Sequence, residues 1–376
     1  MIVKTTLGTG YGNKIFYNQD YLQEYEESLL NFLEDENYMH TLAFAKEIML
    51  PEEIKANNNI EGIRDDLSEI GKAIKNSENT SSRITNLYQG YRYILKCPKI
   101  DKESLKYLYA ILSKDLLSKQ DFENMGEYYR TKPVYIDNRL DKDFPIMGMD
   151  AEKVEYYMDE FLDYVNEENT NNEMEDFIKS QIMHFYFVHI HPYFDVNGRT
   201  SRTTAMWYLL NHKAYPYIIL NRAITFDTKE YENSIKTSRN RGDVTIFLKY
   251  MITQVHKALE KEYILNNIKS NTSFHLKKED SQMIEYLISL NGSITIKDLV
   301  TMYNRYNPKK KPIELATEII DSLINSGIIL DLGPTKKYIT PQRHNSHIAL
   351  NPQTIDINSK KLKYLKIDKY TNPKNN

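Results

Sequence analysis

Residues 191–202 read HPYFDVNGRTSR, and this stretch decides how the rest of the chain is interpreted. One helical pattern precedes it and another follows it, so His191 is predicted to end a helix. Arg199 and Arg202 are then predicted to lie in the first turn of the next helix. They are three positions apart, so both guanidinium groups share one helix face. The stretch therefore predicts a histidine and two arginines gathered around one turn.

These residue types together indicate nucleotidyl or phosphoryl transfer. The free N–H groups near Asn197 and Gly198 can bind an anion, because helix N-termini attract negative charge. The two arginines add forked donors that suit phosphate oxygens. Asp195 offers a carboxylate of the kind that holds Mg²⁺ beside substrate phosphates, and His191 is a base that titrates near neutral pH. A GxxxxGK[ST] phosphate loop is absent from the sequence.

Each of these residues could instead have a purely structural role. His191 alone can be a helix-end histidine, Asp195 an N-cap, and Arg199 a surface ion pair. The adjoining NGRxxR favours the functional interpretation. His184 and His189 do not form a zinc-ligand set with His191 on one helix face, and HExxH is absent, so both are predicted to pack in the core.

The stretch resembles the Fic motif, HPFx[DE]GNGRxxR. The matching positions are His191, Pro192, Asp195, Asn197, Gly198, Arg199 and Arg202. Tyr193 replaces the phenylalanine, and Val196 replaces the first glycine of GNG. The related Doc group, which phosphorylates, has lysine where Arg199 stands, so Arg199 favours AMP transfer.

The resemblance implies a mainly α protein whose helical core carries a β-hairpin flap. It implies a protein adenylyltransferase that moves AMP from ATP to a Tyr, Thr or Ser hydroxyl, including hydroxyls of its own chain. His191 would be the catalytic base, Asp195 the Mg²⁺ ligand, and Asn197, Gly198, Arg199 and Arg202 the nucleotide-binding residues.

Two further segments resemble the same family. GEYYR at 126–130, followed by Val134, Tyr135 and Ile136, resembles the lead-in to the flap, which docks a target chain as an added strand. NRGDV at 240–244, followed by Phe247, resembles a later segment of the core.

An inhibitory motif is the third resemblance. NNNIEG at 57–62 is similar to [S/T]xxxE[G/N], with Glu61 in the diagnostic place and Asn57 where Ser or Thr is usual. The implied role is a salt bridge from Glu61 to Arg202, which would block the γ-phosphate position. Because Asn57 lacks the usual hydroxyl, we expect weaker inhibition and measurable basal activity.

Domain organisation follows from length and composition. A chain of 376 residues with 41% hydrophobic and 27% charged residues predicts a globular protein of two or three domains. We predict an N-terminal helical region with the inhibitory helix (1–83), a Fic domain (84–266), a winged-helix-like domain (275–345) and a polar basic tail (346–376). One cysteine and the lack of an apolar signal core or spanning run favour a cytoplasmic protein with no membrane partner, and a homo-oligomer stays open.

The C-terminal domain is predicted from helical patterns at 282–290, 296–303 and 312–325. They are followed by a two-stranded wing at 328–330 and 337–340, with a turn at Gly333 and Pro334 between the strands. The helix from Pro312 carries Glu314, Glu318 and Asp321 but no Lys or Arg up to Leu323, so we favour packing or protein recruitment over DNA binding.

Three alternatives to adenylylation remain. The same fold can remove AMP from a protein, with Glu61 placing a water. It can use another nucleotide donor. A nucleotide-sensing DNA-binding regulator is the alternative outside enzyme chemistry.

Overall fold

The computed structural model describes part of the chain in detail. The described residues are 1–35, 50–63, 70, 82–136, 146–270, 276, 278–290, 293–306, 313–334, 345–351, 353 and 362–365. The chain divides into two compact units, Met1–Val255 and His256–Asn376. This division falls inside one long helix, slightly before the predicted domain end at residue 266.

The first unit is mainly helical with two small hairpins. Its elements up to the second hairpin are β1 (Ile2–Gly8), β2 (Lys14–Asn18), α1 (Gln19–Asp35), α2 (Leu50–Ile60), α3 (Ser82–Ile94), α4 (Lys102–Ser113), α5 (Lys119–Glu123), β3 (Tyr135–Ile136) and β4 (Ile146–Met147). They are followed by α6 (Val154–Asn166), α7 (Glu173–Ile190), α8 (Asn197–Asn211), α9 (Leu220–Ile224) and α10 (Thr228–Arg241), with short 3₁₀ turns at Ala151–Lys153 and Tyr215–Ile218. The helix α11 (Thr245–Ser270) begins in the first unit and ends in the second.

The prediction that residues 1–83 form a helical region was wrong at its beginning. β1 and β2 form an antiparallel hairpin, with Val3 opposite Tyr17 and Lys4 opposite Phe16. Residues 9–13 connect the two strands, and Gly10 and Gly12 within this connection have positive φ. Alternation of apolar and polar residues along IVKTTLG was the available strand signal.

The core of the first unit is built around α7. Almost every residue of this helix is buried, including the polar side chains of Lys179, Gln181 and His184, so the helix lies inside the core and is surrounded on all sides. It packs against α8, which buries Trp207 and Leu209, and against α6. Asn172 caps its start by accepting from the Glu175 N–H, and its end is fixed at His191. Both ends of the turn at 191–196 therefore rest on rigid, buried helices.

The second unit combines helices with a three-stranded antiparallel sheet. It contains α12 (Lys278–Leu290), β5 (Ile294–Thr295), α13 (Ile296–Tyr306), α14 (Ile313–Asn325), β6 (Ile329–Pro334) and β7 (Ser346–Leu350), and the strand order is β5-β7-β6. The winged-helix assignment stays a prediction.

Two predictions about this unit were wrong. Gly333 and Pro334, expected in a turn, belong to β6 and pair with His347 and Ser346. The polar tail was expected from residue 346, yet Ser346–Leu350 is the central strand of the sheet, with Ile348, Ala349 and Leu350 buried. Five residues of strand inside a polar composition are easily overlooked, because their apolar partners lie elsewhere in the chain. The expected wing strand at 337–340 lies outside the described residues.

Among the described residues, the helices are all too short or too polar to cross a bilayer.

Candidate active site

One cavity in the first unit gathers most of the residues singled out from the sequence. Its volume is about 400 Å³. Its walls come from the end of α2, the β3–β4 hairpin, the end of α7, the turn at 191–196, the start of α8 and one face of α10. The lining residues on which the argument depends are Glu61, His191, Asp195, Asn197, Gly198 and Arg202.

His191 ends α7 in a left-handed conformation, with φ 56° and ψ 62°. Its imidazole Nδ1 lies 3.4 Å from the Val188 carbonyl oxygen. A carbonyl can only accept a hydrogen bond, so this contact favours the tautomer with the proton on Nδ1. The lone pair is then on Nε2, which is the form a general base needs.

The surroundings of His191 keep its imidazole neutral. Burial lowers the pKa of His191 to about 3, with Arg239 and Arg130 acting in the same direction and the Val188 carbonyl and Glu61 opposing. The neutral, basic form therefore dominates at neutral pH.

The turn after His191 has the shape of an anion cradle. Val196 adopts φ 67° and ψ 8°, although it replaces a glycine of the motif. Such a conformation is strained for a β-branched residue. The Asn197 side chain locks the turn, since its Nδ2 donates to the Tyr193 carbonyl (2.8 Å) and its Oδ1 accepts from the Tyr193 N–H (3.0 Å). Asn197 thus acts on the loop through its side chain, and only its backbone N–H can serve a phosphate at the start of α8.

Asp195 is exposed at the wall of the cavity. Its Oδ1 accepts from the Val196 N–H at 2.6 Å. An exposed carboxylate beside a helix N-terminus fits the expected Mg²⁺ ligand, because Mg²⁺ is held by one or two carboxylates together with phosphate oxygens.

Arg199 is only 6% exposed. Its Nε and Nη1 have no hydrogen-bond partner within the part of the chain that the structure describes. Buried donors of a guanidinium are seldom left unpaired, and an anionic ligand would pair them. Burial lowers the pKa of Arg199, while Glu61 and Asp195 act to raise it.

Arg202 is held by Asn57 and Glu61, two residues of the predicted inhibitory motif. Its Nη2 donates to Glu61 Oε1 at 2.6 Å. Asn57 Oδ1 accepts from both Nη2 (2.7 Å) and Nε (3.1 Å) of the same arginine. Burial acts to lower the pKa of Arg202, but Glu61 and Tyr231 outweigh it and leave the pKa raised. The structure thus brings together the pair that the motif implied and adds a direct contact from Asn57.

Glu61 also lies against Gly198. A Cβ at Gly198 would be 2.9 Å from Glu61 Oε1 and 3.0 Å from Arg202 Nη1, so only glycine admits this approach. The Glu61 carboxylate therefore lies at the N-terminus of α8 and beside Arg202, both of which attract anions.

The other end of α2 is anchored in the core. Glu53 is 1% exposed and accepts from the Asn221 N–H (2.9 Å) and from Arg222 Nε (3.2 Å). Burial raises the pKa of Glu53 even though Arg222 opposes the shift. Tyr91 connects Asn221 to Asn57, the residue that also contacts Arg202. The Tyr91 hydroxyl accepts from Asn57 Nδ2 (3.1 Å) and from Asn221 Nδ2 (3.2 Å).

The segment predicted to form the flap contains the β3–β4 hairpin, and its role in docking a target stays a prediction. Tyr135 pairs with Met147 and Ile136 with Ile146. Val134 closes its base, since its carbonyl accepts from the Gly148 N–H at 3.1 Å. Tyr135 and Ile136 line the cavity, and Tyr135 is 67% exposed. The chain between the two strands, 137–145, lies outside the described residues.

Sequence reasoning missed the α10 wall of the cavity. Tyr231, Ile235 and Arg239 line it, together with Glu232 and Lys236. The first three are spaced four apart and so share one helix face. That spacing was the available signal. The predicted core residues His184 and His189 are buried: His184 Nε2 lies 2.8 Å from the Tyr231 hydroxyl and His189 Nε2 lies 3.1 Å from the Thr9 carbonyl.

Comparison with known proteins agrees with this geometry. Residues 99–209 match the family model described as Fic/DOC family. The protein adenylyltransferase Fic of Drosophila grimshawi is 31% identical over 103 residues, which are 27% of this chain and 20% of that protein. The one of Drosophila erecta is 34% identical over 79 residues, 21% of this chain and 15% of that protein. The aligned part thus spans about a fifth or less of these relatives' length. The chain contains a Fic/DOC-family domain.

Solved structures show the same fold. A Fic family protein from Desulfovibrio desulfuricans aligns with a TM-score of 0.53 at 16% identity, over 89% of this chain and 97% of that chain. Fic-1 from C. elegans aligns with a TM-score of 0.50 at 16% identity, over 66% of this chain and 73% of that one. At these identities the likeness establishes the mainly helical fold alone.

Proposed function

We propose that the chain is a protein adenylyltransferase that transfers AMP from ATP to a hydroxyl of a protein, its own chain included. The observation that carries the proposal is the single cavity in which His191, Asp195, the start of α8 and Arg202 meet. The curated relatives named protein adenylyltransferase Fic support it.

The residues divide the work of the reaction. ATP phosphates would lie over the backbone N–H groups of Asn197 and Gly198, with Arg199 and Arg202 on the β- and γ-phosphates. The target hydroxyl, aligned by the β3–β4 hairpin, loses its proton to His191 Nε2 as its oxygen attacks the α-phosphorus. The new oxygen–phosphorus bond forms as the bond to pyrophosphate breaks. Positioning and charge stabilisation supply most of the rate in such chemistry.

Asp195 is the residue that would hold Mg²⁺. When bound, the ion would neutralise charge on the α- and β-phosphates and on the departing pyrophosphate. No other part of the proposed roles depends on it.

Glu61 and Asn57 would set the activity of this site. Both engage Arg202, and the Glu61 carboxylate also lies at Gly198. A nucleotide whose γ-phosphate needs this arginine must displace the carboxylate. We therefore infer that the chain is autoinhibited by the segment that ends α2.

Labelling with ATP tests the proposal. Purified protein is incubated with Mg²⁺ and either ATP or UTP, each radiolabelled at the α-phosphate, and covalent label is counted after denaturing electrophoresis. We expect label from ATP in the Glu61→Gly variant and little from UTP. Equal label from UTP would contradict the choice of donor, and no label from either would contradict the proposed activity.

The reverse reaction remains a second candidate, because Glu61 and His191 line the same cavity. Glu61 would orient a water that attacks the α-phosphorus of an adenylylated side chain. Protein labelled by the Glu61→Gly variant can be offered to the wild type without ATP. Release of AMP by wild type but not by Glu61→Gly would favour removal, and stable label would favour transfer alone.

A further inference from the structure

Arg130 is a buried arginine that the proposed reaction does not use. It is 2% exposed and does not line the cavity. Its donors go to backbone carbonyls: Nε to His191 (2.8 Å), Nη1 to Lys132 (2.8 Å), and Nη2 to Met149 and, at 3.5 Å, to Ile190. One guanidinium thus joins the end of α7 to the chain that follows β4.

Arg239 makes the same kind of bridge from α10. Its Nη2 donates to the Met147 carbonyl (2.7 Å) and to the His189 carbonyl (2.8 Å). The two arginines therefore donate hydrogen bonds to the last carbonyls of α7, which have no partners within the helix. Each arginine also donates to a carbonyl at the base of the β3–β4 hairpin.

The backbone between these contacts is tightly packed. The Met149 N–H donates to the Ile190 carbonyl at 3.2 Å, and the Arg130 N–H donates to the Pro192 carbonyl at 2.9 Å. A Cβ at Gly148 would lie 2.9 Å from Arg130 Nη2 and 3.2 Å from the His191 Cβ. The hairpin base, the guanidinium and His191 thus leave no space for even a methyl group.

We propose that Arg130 and Arg239 form an arginine clasp, which holds the base of the β3–β4 hairpin on the end of α7 and so fixes the distance between a docked hydroxyl and His191. Arg130 is a positioning residue in this proposal, which rests on the proposed function. Its hydrogen bond to the His191 carbonyl stabilises the left-handed backbone that aims the imidazole. The clasp aligns the acceptor and the base, whereas the nucleotide is assigned to the start of α8.

The clasp also places two cations beside His191. The charged groups that act on this imidazole are Arg239 from α10, Arg130 from the loop before β3, and Glu61 from the end of α2. Both arginines lower its pKa and Glu61 raises it. Removing the Arg130 charge should therefore raise the pKa of His191 and move the acid limb of the pH–rate profile to higher pH.

The first test uses the rate and pH dependence of self-labelling, with Glu61→Gly as the common background. Arg130→Gln should label at least tenfold more slowly, since a misplaced reacting group costs roughly that much or more. Its affinity for a fluorescent ATP analogue should stay within about twofold of the parent's, and the acid limb of its pH–rate profile should move to higher pH. Arg130→Lys keeps the positive charge but loses the forked donors of the guanidinium. It should therefore label more slowly, with the acid limb of the pH–rate profile at the same pH as in the parent. The matched control is Arg241→Gln, because Arg241 is exposed at the same end of α10 as Arg239. It should change neither the labelling rate, nor the affinity for the ATP analogue, nor the pH–rate profile.

The second test does not depend on activity. Amide hydrogen exchange in Arg130→Gln should accelerate at Gly148 and Met149, while exchange within α8 stays as in the parent protein and shows that the variant is folded. Unchanged exchange at Gly148 and Met149 would overturn the clasp even if the protein transferred no AMP. Full labelling rate with an unmoved acid limb in Arg130→Gln would overturn its positioning role, whereas absence of label in the Glu61→Gly parent would count against the proposed function alone.

Discussion

His191 and Val196 bracket the reactive turn with left-handed backbones that side chains other than glycine seldom adopt. Strain of this kind costs on the order of 1–3 kcal/mol per residue and persists only where the surroundings impose it. Here Arg130 holds the first residue through its carbonyl, and Asn197 holds the turn that contains the second. The backbone geometry of the site is therefore imposed by hydrogen bonds that buried side chains make to the backbone.

At the same scale, His191→Ala should abolish AMP transfer and leave ATP binding nearly unchanged. The imidazole is assigned to proton removal and not to phosphate binding, and loss of a general base typically costs a hundredfold or more. The comparison is made in Glu61→Gly by self-labelling rate and by titration with a fluorescent ATP analogue. His212→Ala, exposed at the far end of α8, is the control. A His191→Ala variant that labels at the parent rate would remove His191 as the base.

At the scale of elements, α2 is fastened at three levels along its length. Glu53 binds the start of α9, Asn57 joins Tyr91 to Arg202, and Glu61 closes on Arg202 and Gly198. The first contact is buried, whereas the Glu61 side chain is 29% exposed. Contacts nearer to solvent open more readily, so release should begin at the Glu61 end of the helix.

The double contact on Arg202 predicts that Glu61→Gly releases inhibition only in part. A charge-assisted hydrogen bond contributes about 1.5–3 kcal/mol, so Glu61→Gly should raise self-labelling roughly tenfold to a hundredfold. Asn57 would still hold the guanidinium, so Asn57→Ala in the Glu61→Gly background should raise labelling further at low ATP concentration. Asn59→Ala on the same helix is the matched control. Equal rates for Glu61→Gly and Glu61→Gly/Asn57→Ala would show that Asn57 does not restrain Arg202.

The contacts of Asn57 could not be predicted from the sequence. The motif placed Glu61 opposite Arg202, which the geometry matches. The missing hydroxyl at position 57 led to an expectation of a weaker lock, because the motif gives no information about Tyr91 and Arg202 on the neighbouring helices. An amide both donates and accepts, and Asn57 uses both functions here. Whether basal activity is measurable stays a prediction.

At the scale of the whole molecule, buried histidines make stability depend on pH. Burial lowers the pKa of His184 to about 3, and Arg202 acts in the same direction. The unfolded chain takes up this proton below a pKa of about 6.5, while the folded chain does not. The contribution of neutral His184 is therefore complete above pH 6.5 and is lost as the pH falls, by about 1.4 kcal/mol per unit.

Replacing His184 should make this decline shallower. Glutamine can still bond to the Tyr231 hydroxyl but does not titrate. The free energy of unfolding is measured by urea denaturation at several pH values between 6.5 and 5. We expect His184→Gln to lose roughly 1 kcal/mol less per pH unit than the wild type over this range, because the unfolded imidazole is only half protonated at pH 6.5. Parallel slopes for the two proteins would mean that His184 is protonated in the folded state.

The fold was predictable where its determinants are local. Helical spacing and the turn at 191–202 located the core helices and the cavity residues of α8. The β1–β2 hairpin and the strand Ser346–Leu350 were missed, since a strand of a few residues is defined by partners distant in the chain. The α10 wall and the arginine clasp were missed for the same reason: Arg130 and Arg239 are ordinary charged residues until the fold brings them to the last carbonyls of α7.

The most direct test of the account is the intact mass of three proteins after incubation with ATP and Mg²⁺: wild type, Glu61→Gly, and Glu61→Gly/His191→Ala. The account predicts that Glu61→Gly gains the mass of one or more AMP groups, that the wild type gains it more slowly, and that the double variant gains none. A double variant that gains AMP as fast as Glu61→Gly would contradict the central claim, because AMP transfer would then not need His191.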